Sequence, residues 1–270
     1  MAIEDTAVGI MGPEMRTKFM GNFKNVTAIV LAAGKGTRMQ SNLPKVLHTI
    51  EGKPILFHTL KTLERVSFGQ ILVVVGYKAN DVKKAIGNKW QYVKQKEQHG
   101  TAHAVETALP YLSPECDTVV VFNGDDSMFY SVETLDKLIQ NHLDSDKKLS
   151  ILTTVLEDVA ISGRVVRDKD GKFLGFKANS EFTPEELRLH NEIICGLYIF
   201  ERKWLLANLP KVEISTSKEY NITRLIFLAL SKDNLQDIQL ENSDEWRSIN
   251  TQEELERARK LWKKKNDRNS

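Results

Sequence analysis

VTAIVLAAGKGTRM, residues 26–39, is the stretch that decides the fold of this chain. Its first part is β-branched and apolar, which is typical of a central parallel strand buried on both faces. Gly34 and Gly36 then end the apolar run in a glycine-rich turn. A buried strand that ends in such a turn predicts the first strand-to-loop connection of an open α/β sheet.

Strand and helix patterns alternate through the rest of the first half. Pro54 and Ser131 are typical first residues or caps of helices. The alternation predicts a doubly wound, mostly parallel, Rossmann-like sheet with right-handed crossovers. The predicted strands cover residues 70–76, 91–95 and 117–126, and the predicted helices start at Pro54 and cover residues 80–87, 101–109 and 132–143.

The second half is richer in short strand patterns. The dipeptide Asp170-Gly171 indicates a hairpin turn between two of them. We expect a smaller mixed β-sheet extension that continues the first sheet, so that residues 25–257 form one composite domain between a flexible leader (1–24) and a basic helix end and tail (258–270). The predicted strands here are 149–156, 163–168, 171–178 and 193–200, and the predicted helices are 201–208, 218–231 and one from about Gln252.

Composition excludes several functional classes. The net charge of +2 gives no global field that would attract nucleic acid or a membrane surface, and no apolar run is long enough to span a bilayer. Cys116 and Cys195 lie far apart, which argues against a disulfide framework or a zinc site and fits the reducing cytoplasm. Neither nucleic acid nor membrane is therefore an expected partner, and the oligomeric state stays open.

The loop after the first strand carries the chemistry of a phosphate site. Gly34 and Gly36 leave backbone N–H groups accessible, and Lys35, Arg38 and Lys45 surround the turn with positive charge. The spacing fits neither a Walker loop nor a dinucleotide-binding fingerprint, whose third glycine is replaced by methionine. The loop predicts binding of a triphosphate, with an ordinary turn flanked by solvated lysines as the alternative.

Motifs along nearly the whole chain resemble those of the sugar-phosphate nucleotidyltransferases, also called pyrophosphorylases. The resemblance is closest to the uridylyltransferase domain of bacterial N-acetylglucosamine-1-phosphate uridylyltransferases, and it implies a GT-A-like fold over residues 25–257. The matching motifs, in order, are LAAGKGTRM with PKVLH, QKEQHGTAHAV (95–105), FNGDD (122–126), GRVVRDKDGKFLG (163–175), EIICG (192–196), KEYNITRLI (218–226) and SINT (248–251).

The resemblance implies a nucleotide site that binds UTP. Arg38 and Lys45 would stabilise the charge that moves to the departing pyrophosphate. A glutamine amide offers both a donor and an acceptor, which matches the N3–H and O4 edge of uracil, and thymine presents nearly the same edge. For the segment QKEQHGT (95–101), which contains this glutamine, the alternative is a polar loop before a helix. The implied nucleotide-binding residues are Leu31, Ala32, Ala33, Gly34, Lys35, Gly36, Gln95, Gly100 and Thr101.

The resemblance also implies a magnesium site built from Asp125 and Asn250. One carboxylate, one amide oxygen, phosphate oxygens and waters suit Mg²⁺. Arg38, Lys45 and Asp125 would then be the catalytic residues of an in-line attack that needs no protein nucleophile. Asp126 is an additional carboxylate, interpreted either as a turn residue or as a second ligand.

The acceptor side departs from the family pattern. The resemblance implies that the sugar is bound by Gly163, Lys177, Ile194, Glu219, Tyr220 and Thr223. However, Ile194 replaces the asparagine that binds sugar in the family, Asn123 stands where tyrosine is usual, and Lys177 lies where an acidic residue is expected. A lost buried hydrogen-bond partner costs about 1–3 kcal/mol, so the identity of the sugar does not follow from the resemblance.

Together these features predict an enzyme that joins UTP to a sugar 1-phosphate, N-acetylglucosamine 1-phosphate or a related hexose 1-phosphate, and releases pyrophosphate. The alternatives are transfer of dTMP or CMP to another phosphorylated acceptor, and a non-catalytic module that binds sugar nucleotides. Relatives are often fused to an acetyltransferase of hexapeptide repeats. Such repeats are absent from the sequence, so we expect no acetyl transfer by these residues.

Overall fold

The computed structural model of the chain describes residues 21–156, 163–213 and 219–267. Its centre is a seven-stranded sheet with the strand order β11-β7-β10-β6-β1-β4-β5. The strands of this sheet are β1 (Phe23–Ala32), β4 (Phe68–Val75), β5 (Gln91–Lys94), β6 (Thr118–Asn123), β7 (Leu149–Val155), β10 (Glu192–Glu201) and β11 (Leu235–Gln239). Two further two-stranded sheets are β2 (Thr49–Ile50) with β3 (Lys53–Pro54), and β8 (Arg164–Arg167) with β9 (Phe173–Lys177).

Parallel pairing predominates in the half of the sheet that the first half of the chain forms. β1 lies between β4 and β6 and is parallel to both, and β4 is parallel to β5. β10 is antiparallel to both of its neighbours, β6 and β7, while β11 is parallel to β7. The predicted doubly wound α/β sheet is therefore confirmed, and its second half is the mixed extension.

Two apolar layers cover the central sheet. Ala28 and Val30 of β1 pack into one layer, whereas Ile29 and Leu31 pack into the other. Alternate residues of the strand therefore face opposite layers, and both faces are buried, as the unbroken apolar pattern predicted. The helices are α1 (Ile55–Leu63), α2 (Ala79–Ile86), α3 (Thr101–Ala108), α4 (Val132–Leu143), α5 (Pro184–Leu189), α6 (Arg202–Asn208), α7 (Arg224–Leu230) and α8 (Gln252–Asp267).

Local signals located most elements of the second half. Gly171 has φ 82°, a conformation that glycine adopts without strain, and the hairpin of β8 and β9 turns there as predicted. The short helix α5 and the edge strand β11 were not predicted. Residues 219–223 are not helical, and helix α7 begins only at Arg224. The predicted helical range of 218–231 was therefore too long at its start, and residue 218 lies outside the described residues.

The start of the domain differs from the range expected from the sequence. Phe23, expected in the leader, is buried in β1 with its ring 6.5 Å from that of Phe68, while residues 1–20 of the expected leader lie outside the described residues. At the other end, helix α8 runs through residues 258–267, which were expected to form its basic end. Lys265 in its last turn donates to the carbonyl of Phe129 at 2.5 Å, so this part of the helix packs on the domain.

A third apolar cluster joins helix α8 to the loops that follow β1 and β6. It contains Met39 from the first loop, Phe129 from the second, and Leu255 from the helix. The cluster thus holds three distant segments together beneath one edge of the sheet. None of the helices in the described ranges combines the length and apolar character needed to cross a bilayer.

Candidate active site

A cleft of about 660 Å³ opens at the carboxyl ends of β1 and β6. In open parallel sheets, ligands bind outside the carboxyl ends of the strands. The volume of the cleft lies in the usual range for small-molecule sites. Most of the residues that the sequence singled out line it together. They are Leu31, Ala32, Ala33, Gly34, Lys35, Gly36, Arg38, Lys45, Gln95, Gly100, Thr101, Asp125, Ile194, Glu219 and Asn250.

Gly36 lets Lys45 pack against the turn that carries Lys35 and Arg38. Gly36 has φ 68°, and a Cβ atom built on it would lie 2.6 Å from the Cβ of Lys45. A side chain at position 36 would therefore be strained and would also push Lys45 away. The absence of a side chain at this position allows the backbone of the turn and Lys45 to line the same end of the cleft.

Four polar side chains from distant segments converge at that end. The amide oxygen of Asn250 accepts hydrogen bonds from Arg38 and from Lys45, each at 2.9 Å. The ammonium group of Lys45 also forms an ion pair with the carboxylate of Asp125. Arg38 and Lys45 come from the loop after β1, Asp125 follows β6, and Asn250 precedes α8, so only the folded chain brings these groups together.

Asp125 and Asn250 are suited to hold a divalent cation. Their oxygens both contact the Lys45 ammonium, which shows that a single positive charge can lie within reach of both. Among the described residues, no group of three or more His, Cys, Asp or Glu side chains is arranged to hold a metal. Two protein oxygens fit Mg²⁺, which commonly takes its remaining ligands from phosphates and water.

Glu254 and Ser248 orient Asn250, although neither was assigned to the site from the sequence. The Glu254 carboxylate accepts from the backbone N–H of Asn250 at 2.5 Å and from the Ser248 hydroxyl at 3.3 Å. The Asn250 amide nitrogen in turn donates to the Ser248 hydroxyl, so its amide oxygen is the end that meets Lys45 and Arg38. The pattern Thr251-x-x-Glu254 could have given a signal, because it is a capping-box sequence at a helix start.

Asp126 is buried beside the cation end of the cleft. Its carboxylate accepts from the Asn123 amide and from the Ser127 hydroxyl, both at 3.1 Å. Burial, with the neighbouring charge of Asp125 as the next cause, raises the pKa of Asp126 to about 7. Gly196 packs against Asn123 and Asp126, since a Cβ atom at position 196 would lie 1.8 Å from the Asn123 amide nitrogen. Asp126 therefore belongs to a buried hydrogen-bonded wall of the cleft.

Gln95 lies at the other end of the cleft and is only 2% exposed. Its amide nitrogen donates to the carbonyl of Gly100 at 3.2 Å and lies 3.1 Å from Nδ1 of His103. A free glutamine amide offers a base both a donor and an acceptor. In the structure the donor is used within the protein, which leaves the amide oxygen as the group available to a ligand.

The motif EYNIT divides between the cleft and the core. Glu219 and Asn221 line the cleft. Tyr220 instead donates to the carbonyl of Leu209 at 2.5 Å, and the Thr223 hydroxyl donates to Asn221 at 3.1 Å. Asn221 was missed because, without a known backbone conformation, the sequence does not say which residues of the motif share a face.

Two other residues predicted for the acceptor lie apart from the cleft lining. The described lining residues do not include Gly163 or Lys177. The Lys177 ammonium lies 5.8 Å from the centre of the Phe182 ring, and Gly163 has φ 112° at the start of the hairpin. The cleft is lined here by residues that the sequence analysis did not assign to the site, namely Asn123, Gly196, Tyr198, Asn221 and Trp246.

Comparison with known proteins gives three results. A family model described as nucleotidyl transferase matches residues 27–265. Two bacterial proteins named bifunctional protein GlmU are similar in sequence: one from Clostridium novyi is 37% identical over 87% of this chain and 52% of its own length, and one from Bacillus subtilis is 36% identical over 74% and 43%. The chain thus spans about half the length of these curated relatives.

A solved structure shares the fold. It is that of a Bacillus anthracis protein proposed to be a glucose-1-phosphate thymidylyltransferase, in complex with a sucrose. The two chains superpose with a TM-score of 0.73 at 19% identity, over 87% of this chain and 94% of the other. At this low identity the likeness concerns the fold alone.

Proposed function

The chain belongs to the nucleotidyl transferase family, and on this premise we propose that it transfers UMP from UTP to a sugar 1-phosphate and releases pyrophosphate. The observation that carries the proposal is the convergence of Arg38, Lys45, Asp125 and Asn250 at one end of the cleft. Two cations beside a carboxylate and an amide oxygen suit a polyphosphate bound together with a metal ion.

The nucleotide would lie along the loop that follows β1. Its phosphates would approach the backbone of Gly34 and Gly36 beside Lys35, Arg38 and Lys45. Its base would reach the far end of the cleft, where the amide oxygen of Gln95 is available. Uracil offers an N3–H donor to such an acceptor, which favours UTP. Thymine offers the same group, so dTTP is the second candidate nucleotide.

The transfer itself requires positioning and charge stabilisation rather than a protein nucleophile. An oxygen of the acceptor phosphate forms a bond to the α-phosphorus of UTP. The bond between the α-phosphorus and the bridging oxygen breaks, and its electron pair leaves with pyrophosphate. Lys45 and Arg38 would stabilise the negative charge that develops on the departing group.

Magnesium is proposed as the metal, held by Asp125 and Asn250. When bound, Mg²⁺ would neutralise phosphate charge and hold the triphosphate in one geometry. Lys45 contacts both of these residues in the structure, so binding of the metal requires its ammonium to move away. The phosphates of the nucleotide provide the negative charge that would attract it.

The acceptor would occupy the wall formed by Asn123, Ile194, Gly196 and Tyr198. The resemblance of the motifs to those of N-acetylglucosamine-1-phosphate uridylyltransferases favours N-acetylglucosamine 1-phosphate or a related hexose 1-phosphate as acceptor. Ile194 cannot form the hydrogen bond of the asparagine it replaces, which favours an acceptor that presents less polar surface at that point.

The proposal is tested by measuring pyrophosphate release with Mg²⁺ across a panel of UTP, dTTP, CTP and ATP combined with hexose and amino-sugar 1-phosphates. We expect release with UTP and at least one sugar 1-phosphate, and loss of that release in Asp125→Ala. Nucleotide binding without release from any pair would contradict the enzyme and favour a non-catalytic module. Release only with CTP would contradict the choice of nucleotide.

A further inference from the structure

The orientation of the buried Gln95 amide is fixed by its neighbours. A backbone carbonyl can only accept a hydrogen bond, so the group 3.2 Å from the Gly100 oxygen is the nitrogen end of the amide. The same nitrogen lies 3.1 Å from Nδ1 of His103. His103 therefore accepts through Nδ1, which requires a neutral ring with its hydrogen on Nε2.

His103 completes the set of partners that hold this nitrogen. The two acceptors, Gly100 and His103, use the two hydrogens of the amide nitrogen. Rotating the amide by 180° would place its oxygen against the Gly100 oxygen, which is repulsive, whereas the imidazole could adapt by carrying its hydrogen on Nδ1, so Gly100 sets the orientation. With the orientation set by Gly100, His103 takes up the second hydrogen of the amide nitrogen and leaves only the amide oxygen free for a ligand.

We propose that His103 determines base specificity by holding Gln95 so that only its amide oxygen is available to the nucleotide. This inference rests on the proposed function, because it assumes that the base binds at the Gln95 end of the cleft. Where the Gln95 oxygen faces N3 of the base, uracil and thymine donate their N3–H to it. Cytosine has an unprotonated N3 in that position, so two acceptors would face each other.

His103 acts through Gln95 and is a positioning residue. It lies on α3, and its own position is supported by the Thr107 hydroxyl, which donates to the His103 carbonyl at 2.7 Å. His99 provides a matched control: its ring centre lies 5.0 Å from that of His103, but its side chain is 59% exposed and pairs with Glu97. The two histidines share a neighbourhood and differ in their contact with Gln95.

The test is to measure the dissociation constants of UTP, dTTP and CTP by calorimetry, with Mg²⁺ and without an acceptor. His103→Asn keeps an acceptor close to the position of Nδ1, whereas His103→Leu and His103→Ala remove it. We expect wild-type protein to bind UTP and dTTP more tightly than CTP. The ratio of the CTP to the UTP constant should fall at least tenfold in H103L and H103A, and should be retained in H103N and His99→Ala.

The readout is a ratio, so a general loss of stability does not imitate it. Circular dichroism shows which variants are folded, and H103A replaces H103L if the latter is not. A ratio within twofold of wild type in the variants without an acceptor would overturn the role of His103 and leave the proposed function intact. A preference of the wild-type protein for CTP would overturn both. Loss of the ratio in H103N would also contradict the inference.

Discussion

Lys45 donates a hydrogen bond of 2.9 Å to the amide oxygen of Asn250, although 205 residues separate the two along the chain. The contact joins the loop after β1 to the start of α8. Through the same ammonium group it includes Asp125, which follows β6. Three segments therefore meet at one positive charge.

Replacement of Lys45 by methionine tests whether its charge acts on the reaction. Methionine keeps the length of the side chain and removes the charge, so the developing charge on pyrophosphate loses a partner. We expect kcat to fall about 100-fold, as for removal of one oxyanion-stabilising donor. The measurement is steady-state pyrophosphate release. The control Lys137→Met alters an exposed lysine of α4 and should leave kcat unchanged. An unchanged kcat in K45M would place the departing group elsewhere.

Replacement of Glu254 by alanine tests whether the orientation of Asn250 supports the metal site. The variant leaves the Asn250 N–H and the Ser248 hydroxyl without their acceptor. Groups that orient a metal ligand typically contribute about 10- to 100-fold to metal affinity. We therefore expect Mn²⁺ to bind at least tenfold more weakly in the presence of nucleotide, as measured by electron paramagnetic resonance.

Two further variants complete the test of Glu254. Glu254→Gln retains a carbonyl oxygen that accepts from the Asn250 N–H, and should recover most of the Mn²⁺ affinity. Glu253→Ala is the matched control, since Glu253 lies in the same turn of α8 and pairs with Arg257 at the surface. Equal losses in the variants at 253 and 254 would show that only the helix start, and not the contact to Asn250, is involved.

Replacement of Gly196 by alanine tests the wall of the cleft around Asp126. The added Cβ would lie 1.8 Å from the Asn123 amide nitrogen and 2.8 Å from a carboxylate oxygen of Asp126, so Asn123 must move. We expect KM for the sugar phosphate to rise by about tenfold, with a smaller change in KM for UTP. Adding Asn123→Ala to the variant removes the closer of these clashes, the one with the Asn123 side chain, and should restore part of the loss. A selective rise in KM for UTP would assign this wall to the nucleotide.

His142 predicts a pH dependence of stability that is unrelated to the cleft. Burial lowers the pKa of His142 to about 4 in the folded chain, and its Nδ1 lies 2.7 Å from the Ser150 hydroxyl. The unfolded chain, with a pKa near 6.5, binds the proton first. The free energy of unfolding should therefore decrease as pH falls from about 6.5 towards 4, by up to about 3 kcal/mol.

The variant His142→Gln separates this effect from general acid unfolding. Glutamine can retain a polar contact to Ser150 and does not titrate, so the variant should lose less stability than wild type over that pH range. Urea unfolding at several pH values between 4.5 and 7.5 measures the difference. His99→Gln, which alters an exposed histidine, is the control. Parallel pH profiles of wild type and H142Q would contradict the prediction.

Local sequence was sufficient for most of the central fold. The apolar runs of β1, β4 and β6 and the helix signals between them predicted a mostly parallel sheet, and the ordered motifs predicted the family that the comparisons confirm. The apolar pattern of a buried strand and the caps of a helix depend on residues that are close together in the sequence, so both can be predicted from it. The edge strand β11 was missed because its residues are only partly buried and lack a continuous apolar run.

The sequence by itself determined that polar and basic residues follow β1 and β6, and therefore that they lie at one edge of the sheet. Only the tertiary structure decided how they meet: that Asn250 joins Lys45, that Glu254 orients Asn250, and that Gln95 presents its oxygen. It also decided that Asn221 faces the cleft, whereas Lys177 does not. The physical reason is that these contacts join segments far apart in the chain, and their geometry is set by how the core packs.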